Sequence, residues 1–159
     1  MMQLPEWEMV LRLVLALVLG AFIGLDRRLR SKPAGLRTMS LVSLGSATFT
    51  LVGIEAMQQL AFAEQSAGLE TMVRLDTSRV IAGIVGGIGF LGAGAIIQSR
   101  GRIQGMTTAS GIWMTAAIGV SVGLGLYFLA LTATLLAYVV LVLLRRQFTE
   151  EDGTSVDEC

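Results

Sequence analysis

The run MTTASGIWMTAAIGVSVGLGLYFLALTATLLAYVVLVLL, Met106 to Leu144, decides the fold, because it holds 39 consecutive residues without a charge. As one helix, at about 1.5 Å per residue, it would be roughly 58 Å long, nearly twice the ~30 Å hydrocarbon thickness of a bilayer. The run therefore has to fold back on itself. The turn is expected at Gly123-Leu124-Gly125, where glycine reaches positive φ without a Cβ clash, and Tyr127 and Phe128 follow at the depth of an aromatic belt. Two spans result, 106–123 and 126–144.

Working outward, three further apolar segments of similar length stand at 7–25, 37–57 and 79–98. Residues of the AVILMFWYC set make up 53% of the 159-residue chain and charged ones only 15%, against roughly 25% charged in soluble domains. The expected fold class is all-α, an integral membrane bundle of about five transmembrane helices, with four plus a re-entrant piece as the alternative. Residues 1–146 form the transmembrane domain, and residues 147–159, with five acids after Thr149, read as a disordered tail. The segment from Gln58 to Ser78 is expected to hold a short interfacial helix carrying Leu60, Phe62, Leu69, Met72 and Val73.

The charges set an orientation. Nine of the twelve basic residues, Arg27, Arg28, Arg30, Lys32, Arg37, Arg100, Arg102, Arg145 and Arg146, fall on one side if the spans alternate. By the bias of short cytoplasmic loops toward Lys and Arg, that side is cytoplasmic and the N-terminus is outside. Glu6 and Glu8 near the start are the reverse of a signal peptide's basic region, so no cleaved leader is expected.

Several chemistries are excluded or weakened. There is no His, and the only Cys is Cys159, so imidazole catalysis, a thiolate metal cluster and an internal disulfide are unavailable. No nucleophile stands beside a base, so no catalytic residue and no cofactor is expected, and the balanced charge gives no sign of nucleic-acid binding. Any metal ligand is left open. A Gly-x-Gly-x-x-Gly pattern at Gly87 to Gly92 lies inside an uncharged span and lacks the downstream acid of a dinucleotide fingerprint.

That third span is better read through its small residues. Gly83, Gly86, Gly87, Gly89, Gly92 and Gly94 lie in small-x-x-x-small rows that let helix backbones approach closely, in the bundle or across a dimer. Six glycines also weaken a helix, so the rival reading is a breakable helix lining a substrate path.

Ionisable residues within spans are the default functional candidates. Arg12 and Glu55 lie about 21 and 27 Å from the cytoplasmic hairpin by helical rise, so they are expected to pair, or else Glu55 pairs with Arg79. Asp26 ends the first span, where the helix dipole disfavours a carboxylate, and needs Arg28, Arg30 or Arg37. Trp113 falls mid-span and is expected to pack or to line a path. On the cytoplasmic side, Arg27, Arg28, Arg37, Thr38, Arg100, Arg102, Thr107 and Thr108 surround two helix N-termini and could hold an anion or lipid phosphate, or serve only as caps and topology signals.

The stretches Leu19-Gly20-Ala21-Phe22-Ile23-Gly24-Leu25-Asp26-Arg27-Arg28, Lys32-Pro33-Ala34-Gly35-Leu36-Arg37-Thr38, Gly87 to Gly94 and Gly105-Met106-Thr107-Thr108-Ala109 with Trp113 together resemble the MgtC/SapB family of bacterial inner-membrane proteins. The resemblance covers about residues 8 to 145 and departs where Asp26 replaces the family's usual Glu. It implies a multi-pass inner-membrane protein with five spans, linked to adaptation to low magnesium and, in some pathogens, to survival in host cells and restraint of ATP synthase. Members close to MgtC itself carry a further C-terminal domain with an ACT-like fold, so this chain is expected to be a short form. The family is often labelled a magnesium transporter. Mg²⁺ prefers several oxygens in octahedral geometry, whereas the membrane interior here offers one carboxylate, Glu55, near an edge. The reading is a non-enzymatic regulator that acts through lipid and membrane-protein contacts and self-associates as a homo-oligomer, with a small ion transporter or channel subunit as the alternative.

Overall fold

The computed structural model describes residues 4–67, 76–99 and 102–149. Five helices follow one another: α1 (Glu6–Leu29), α2 (Leu36–Ala67), α3 (Thr77–Gly94), α4 (Met106–Gly123) and α5 (Tyr127–Thr149). Between α3 and α4, β1 (Ile97–Ser99) and β2 (Arg102–Gln104) pair antiparallel, with Gln98 opposite Ile103. The architecture is an all-α bundle with one small hairpin.

Three helices, Glu6–Leu29, Leu36–Leu60 and Thr77–Gly94, are long and apolar enough to cross a membrane, and Tyr127–Val142 is a shorter apolar helix. α4, which carries no charged residue, lies at the centre of the bundle. It packs against all four other helices, and its buried face carries Thr108, Gly111, Thr115, Gly119 and Gly123 beside Ile112, Ile118 and Val122. Helices held together in a bilayer gain no hydrophobic driving force from each other, so small and hydroxylic residues fill their contacts while large apolar ones face outward. Phe49, Phe90, Phe128 and Leu135 are all mostly exposed, whereas Ser43, Ser46, Thr50, Thr115 and Thr134 are buried. Thr50, Thr115 and Thr134 return their hydroxyls to the carbonyls of Ser46, Gly111 and Ala130 one turn back, which satisfies them without a partner helix.

The fold-back of the long uncharged run is where the glycines placed it. α4 ends at Gly123, Gly125 takes φ +78°, and α5 starts at Tyr127. Two boundaries differ. The third span stops at Gly94 rather than 98, because residues 97–99 leave the helix to pair in the hairpin. α2 runs ten residues past 57, so the polar residues after Met57 continue the helix and no separate interfacial helix starts at Leu60. Leu69, Met72 and Val73 lie outside the described residues, as does the tail after Thr149.

Candidate functional site: two buried arginines and an open glycine ridge

Two arginines of α1 sit inside the bundle near its opposite ends. Arg12 is 7% exposed. It donates from Nη1 to the carbonyl of Gly123 at 2.7 Å and forms an ion pair with Glu8 one turn earlier. The guanidinium thus meets the negative end of the α4 dipole, whose last carbonyls have no helical partner. The expected pair with Glu55 is absent among the described residues, since Glu8, four positions back on the same helix face, is closer at hand. Glu55 keeps a buried Oε1 with no hydrogen-bond partner, as does Gln58 one turn on. Arg79, on the first turn of α3, is exposed and joins no ion pair with Glu55.

Arg27 is 5% exposed at the other end. Its Nε donates to the carbonyls of Pro33 and Ala34, both at 3.2 Å, and its Nη2 to Pro33 O at 3.0 Å and Thr108 Oγ1 at 2.6 Å. One side chain therefore holds the α1–α2 turn to the first turn of α4. That turn takes positive φ at two residues that are not glycine, Ser31 at 51° and Ala34 at 54°. Such conformations cost of order 1–3 kcal/mol each, and the Arg27 bonds offset part of that cost. Asp26 is met by Arg30, whose Nε lies 2.8 Å from Oδ1, which selects one of its three expected partners.

The basic cluster read from the sequence divides in two. Arg27, Thr107 and Thr108 line a cleft of about 730 Å³ together with Arg30 and Lys32, two residues the anion reading did not include. Arg37 and Thr38 instead flank a separate groove of about 780 Å³ between α2 and α3. Arg28 is exposed beside Gly35. Arg100 and the side chain of Arg102 lie outside the described residues.

The α2–α3 groove gives the glycines their meaning. The two helices meet at Gly53, where an added Cβ would lie 2.9 Å from Val80 Cγ2. Further along, Gly45, Gly83 and Gly87 line the groove with nothing within 4 Å of an added Cβ, and Gly86, Gly89 and Gly94 are equally open. Only Gly92 packs, against Ala109. Close packing of the α3 glycines within this chain is thus corrected: α3 leaves a ridge of small residues uncovered. Trp113 is half exposed and lines a neighbouring cleft with Ile84, Ile88 and Val120.

Tight approach occurs elsewhere, at glycines the sequence reading passed over. An added Cβ on Gly20 would come 2.7 Å from Met39 O, on Gly24 2.7 Å from Leu36 Cα, and on Gly123 2.8 Å from Thr50 Cβ, while one on Gly119 would overlap Ser43 O. The signal was present as G-x-x-x-G at Gly20/Gly24 in α1 and Gly119/Gly123 in α4.

At the start of α3, Asp76 caps the helix by accepting from Ser78 N at 2.8 Å and Ser78 Oγ at 2.7 Å. Those bonds hold its carboxyl below the usual carboxylate range, helped by the charge of Arg79.

The MgtC family model matches residues 13–149. Over 131 residues the chain is 44% identical to protein SrpB of Synechococcus elongatus, covering 77% of this chain and 67% of that protein. It is 40% identical over 134 residues to the putative magnesium transporter YhiD of Escherichia coli, 84% and 59% covered. It is also 40% identical over 136 residues to protein MgtC of Salmonella typhimurium, 86% and 52% covered. The chain spans between about half and two thirds of the length of these relatives. No solved structure matches. The matched region takes in Arg27 and its surroundings, the open ridge and the α1–α2–α4 crossing, and the chain is a membrane protein belonging to the MgtC family.

Proposed function

We propose that the chain is a multi-pass protein of the bacterial inner membrane, N-terminus outside, that works without catalysis as a regulator. It binds a helix of a second copy or of another membrane protein along the α2–α3 groove. The observation that carries this reading is the α3 ridge: Gly83 and Gly87 open into the groove with nothing within 4 Å of an added Cβ. A helix pressed only against lipid has no use for six glycines, which each weaken it by up to about 1 kcal/mol. Small-residue ridges permit close helix contact in membranes, and the ridge is not used for that within the chain. Replacing Gly83 and Gly87 together by Leu fills the groove, and the expected outcome is loss of assembly in native membranes with the helical content retained. Unchanged assembly would overturn the reading.

The second reading, an ion transporter with the groove as its path, is favoured by the name of the Escherichia coli relative, a putative magnesium transporter, and by the unpartnered buried Oε1 of Glu55. Against it, the described residues gather no group of three acidic side chains, while Mg²⁺ takes six oxygens in near-ideal geometry. Liposomes holding only this protein decide between the two. The expected result is no saturable Mg²⁺ uptake, and uptake abolished by Glu55→Gln would establish the transporter.

A further inference from the structure

The second cleft, at the end of the bundle that carries the α1–α2 turn, is not used by this reading. Three features converge there. First, of the four charged side chains lining it, Asp26, Arg27, Arg30 and Lys32, three are cationic, and the one carboxylate is already met by Arg30. Second, the cleft is lined by Gly105, Met106, Thr107 and Thr108, the N-cap and first turn of the 18-residue helix α4, whose N-cap Gly105 takes φ +92° with no side-chain cap bond, and the first N–H groups of a helix have no partner within it. Glycine is required there, since an added Cβ would overlap Ala95 O. Third, the opposite wall is apolar: Ile103 and Met106 are each 61% exposed, and Val140 and Leu141 on α5 continue it along the bundle's outer surface.

We propose that this cleft binds the phosphodiester headgroup of an anionic membrane lipid. The cationic rim and the uncapped α4 terminus take the phosphate, because helix N-termini combine free N–H donors with a favourable dipole. The apolar wall takes the start of the acyl chains, which a free phosphate ion lacks. Arg27 already ties the α1–α2 turn to Thr108, so a headgroup seated beside it braces the junction of α1, α2 and α4.

The test uses the full chain in nanodiscs made from mixed phosphatidylglycerol and phosphatidylcholine, with retained lipids counted by native mass spectrometry. Wild type is expected to retain phosphatidylglycerol over phosphatidylcholine. Lys32→Gln and Arg30→Gln are each expected to reduce that preference about fivefold, the value of roughly one surface charge near a headgroup, whereas Arg37→Gln, in the other groove, leaves it unchanged. Should Arg30→Gln unfold the protein by freeing Asp26, Lys32→Glu carries the arm alone, because Lys32 is exposed and joins no ion pair among the described residues. Equal retention by wild type and the Lys32 variants, or an equal loss with Arg37→Gln, overturns the site. Displacement of the lipid by millimolar inorganic phosphate assigns the cleft to the free ion and overturns the lipid.

Discussion

At the scale of single residues, two arginine charges stand where water is scarce. Arg12 was legible as costly from its position alone, but its partner was not. Depth along the membrane can be counted from helical rise, whereas azimuth cannot, and Glu8 wins by sharing a helix face with Arg12. Removing Glu8 leaves the buried Arg12 with only the Gly123 carbonyl to meet its charge, and the pair is part-buried rather than exposed, so its loss costs more than a surface ion pair. Glu8→Gln is therefore expected to lower thermal stability in detergent substantially, and Arg12→Met to do the same. The double variant is expected to be less damaged than the sum of the singles, and simple additivity would show that the two do not act together. Asp76 gives a pH signature of known sign. Its carboxyl is held below the ordinary range in the folded chain, so its contribution is fully present above the ordinary carboxylate pKa and fades as pH falls through the lowered value. Asp76→Asn is expected to destabilise at neutral pH and to match wild type in acid, in paired thermal melts; a gap that persists in acid would remove the capping role.

At the scale of helices, the sequence made the segments visible and did not single out the glycines that hold them together within the chain. The uncharged run from Met106 to Leu144 demanded a turn, and the turn falls at Gly125. The glycine-rich third span drew attention by density, yet density does not say which face a neighbour covers. The pairs that matter inside the chain, Gly20/Gly24 and Gly119/Gly123, are sparse, and their partners Met39, Ser43 and Thr50 come from a distant part of the sequence. This difference is testable by one substitution on each kind of site. Gly119→Ala drives a methyl into Ser43 O and is expected to destabilise the bundle by about 1–3 kcal/mol, the usual cost of overpacking. Gly86→Ala meets open space and is expected to leave the unfolding free energy equal or higher by up to about 1 kcal/mol of helix propensity. Both are read from the same chemical melt, and equal effects would contradict the packing scheme.

At the scale of the whole molecule, the bundle differs from a soluble one in its outer surface, where large apolar residues are exposed, while its interior mixes Ile23, Met39, Ile118 and Val122 with hydroxyls and glycines. A membrane setting followed from composition. What composition left open is how the outer surface divides between lipid and protein, because Leu and Phe suit both. The α3 ridge separates them, since glycine suits only a close neighbour. The most direct test places a photo-crosslinking amino acid at Leu91, an exposed residue that lines the α2–α3 groove with Gly83 and Gly87, and at Leu135, exposed on α5, in native membranes. A protein adduct at Leu91 with only lipid adducts at Leu135 is the expected result. Lipid adducts alone at Leu91, or the same protein adducts at both positions, would contradict the claim that the glycine ridge is where this molecule meets its partner.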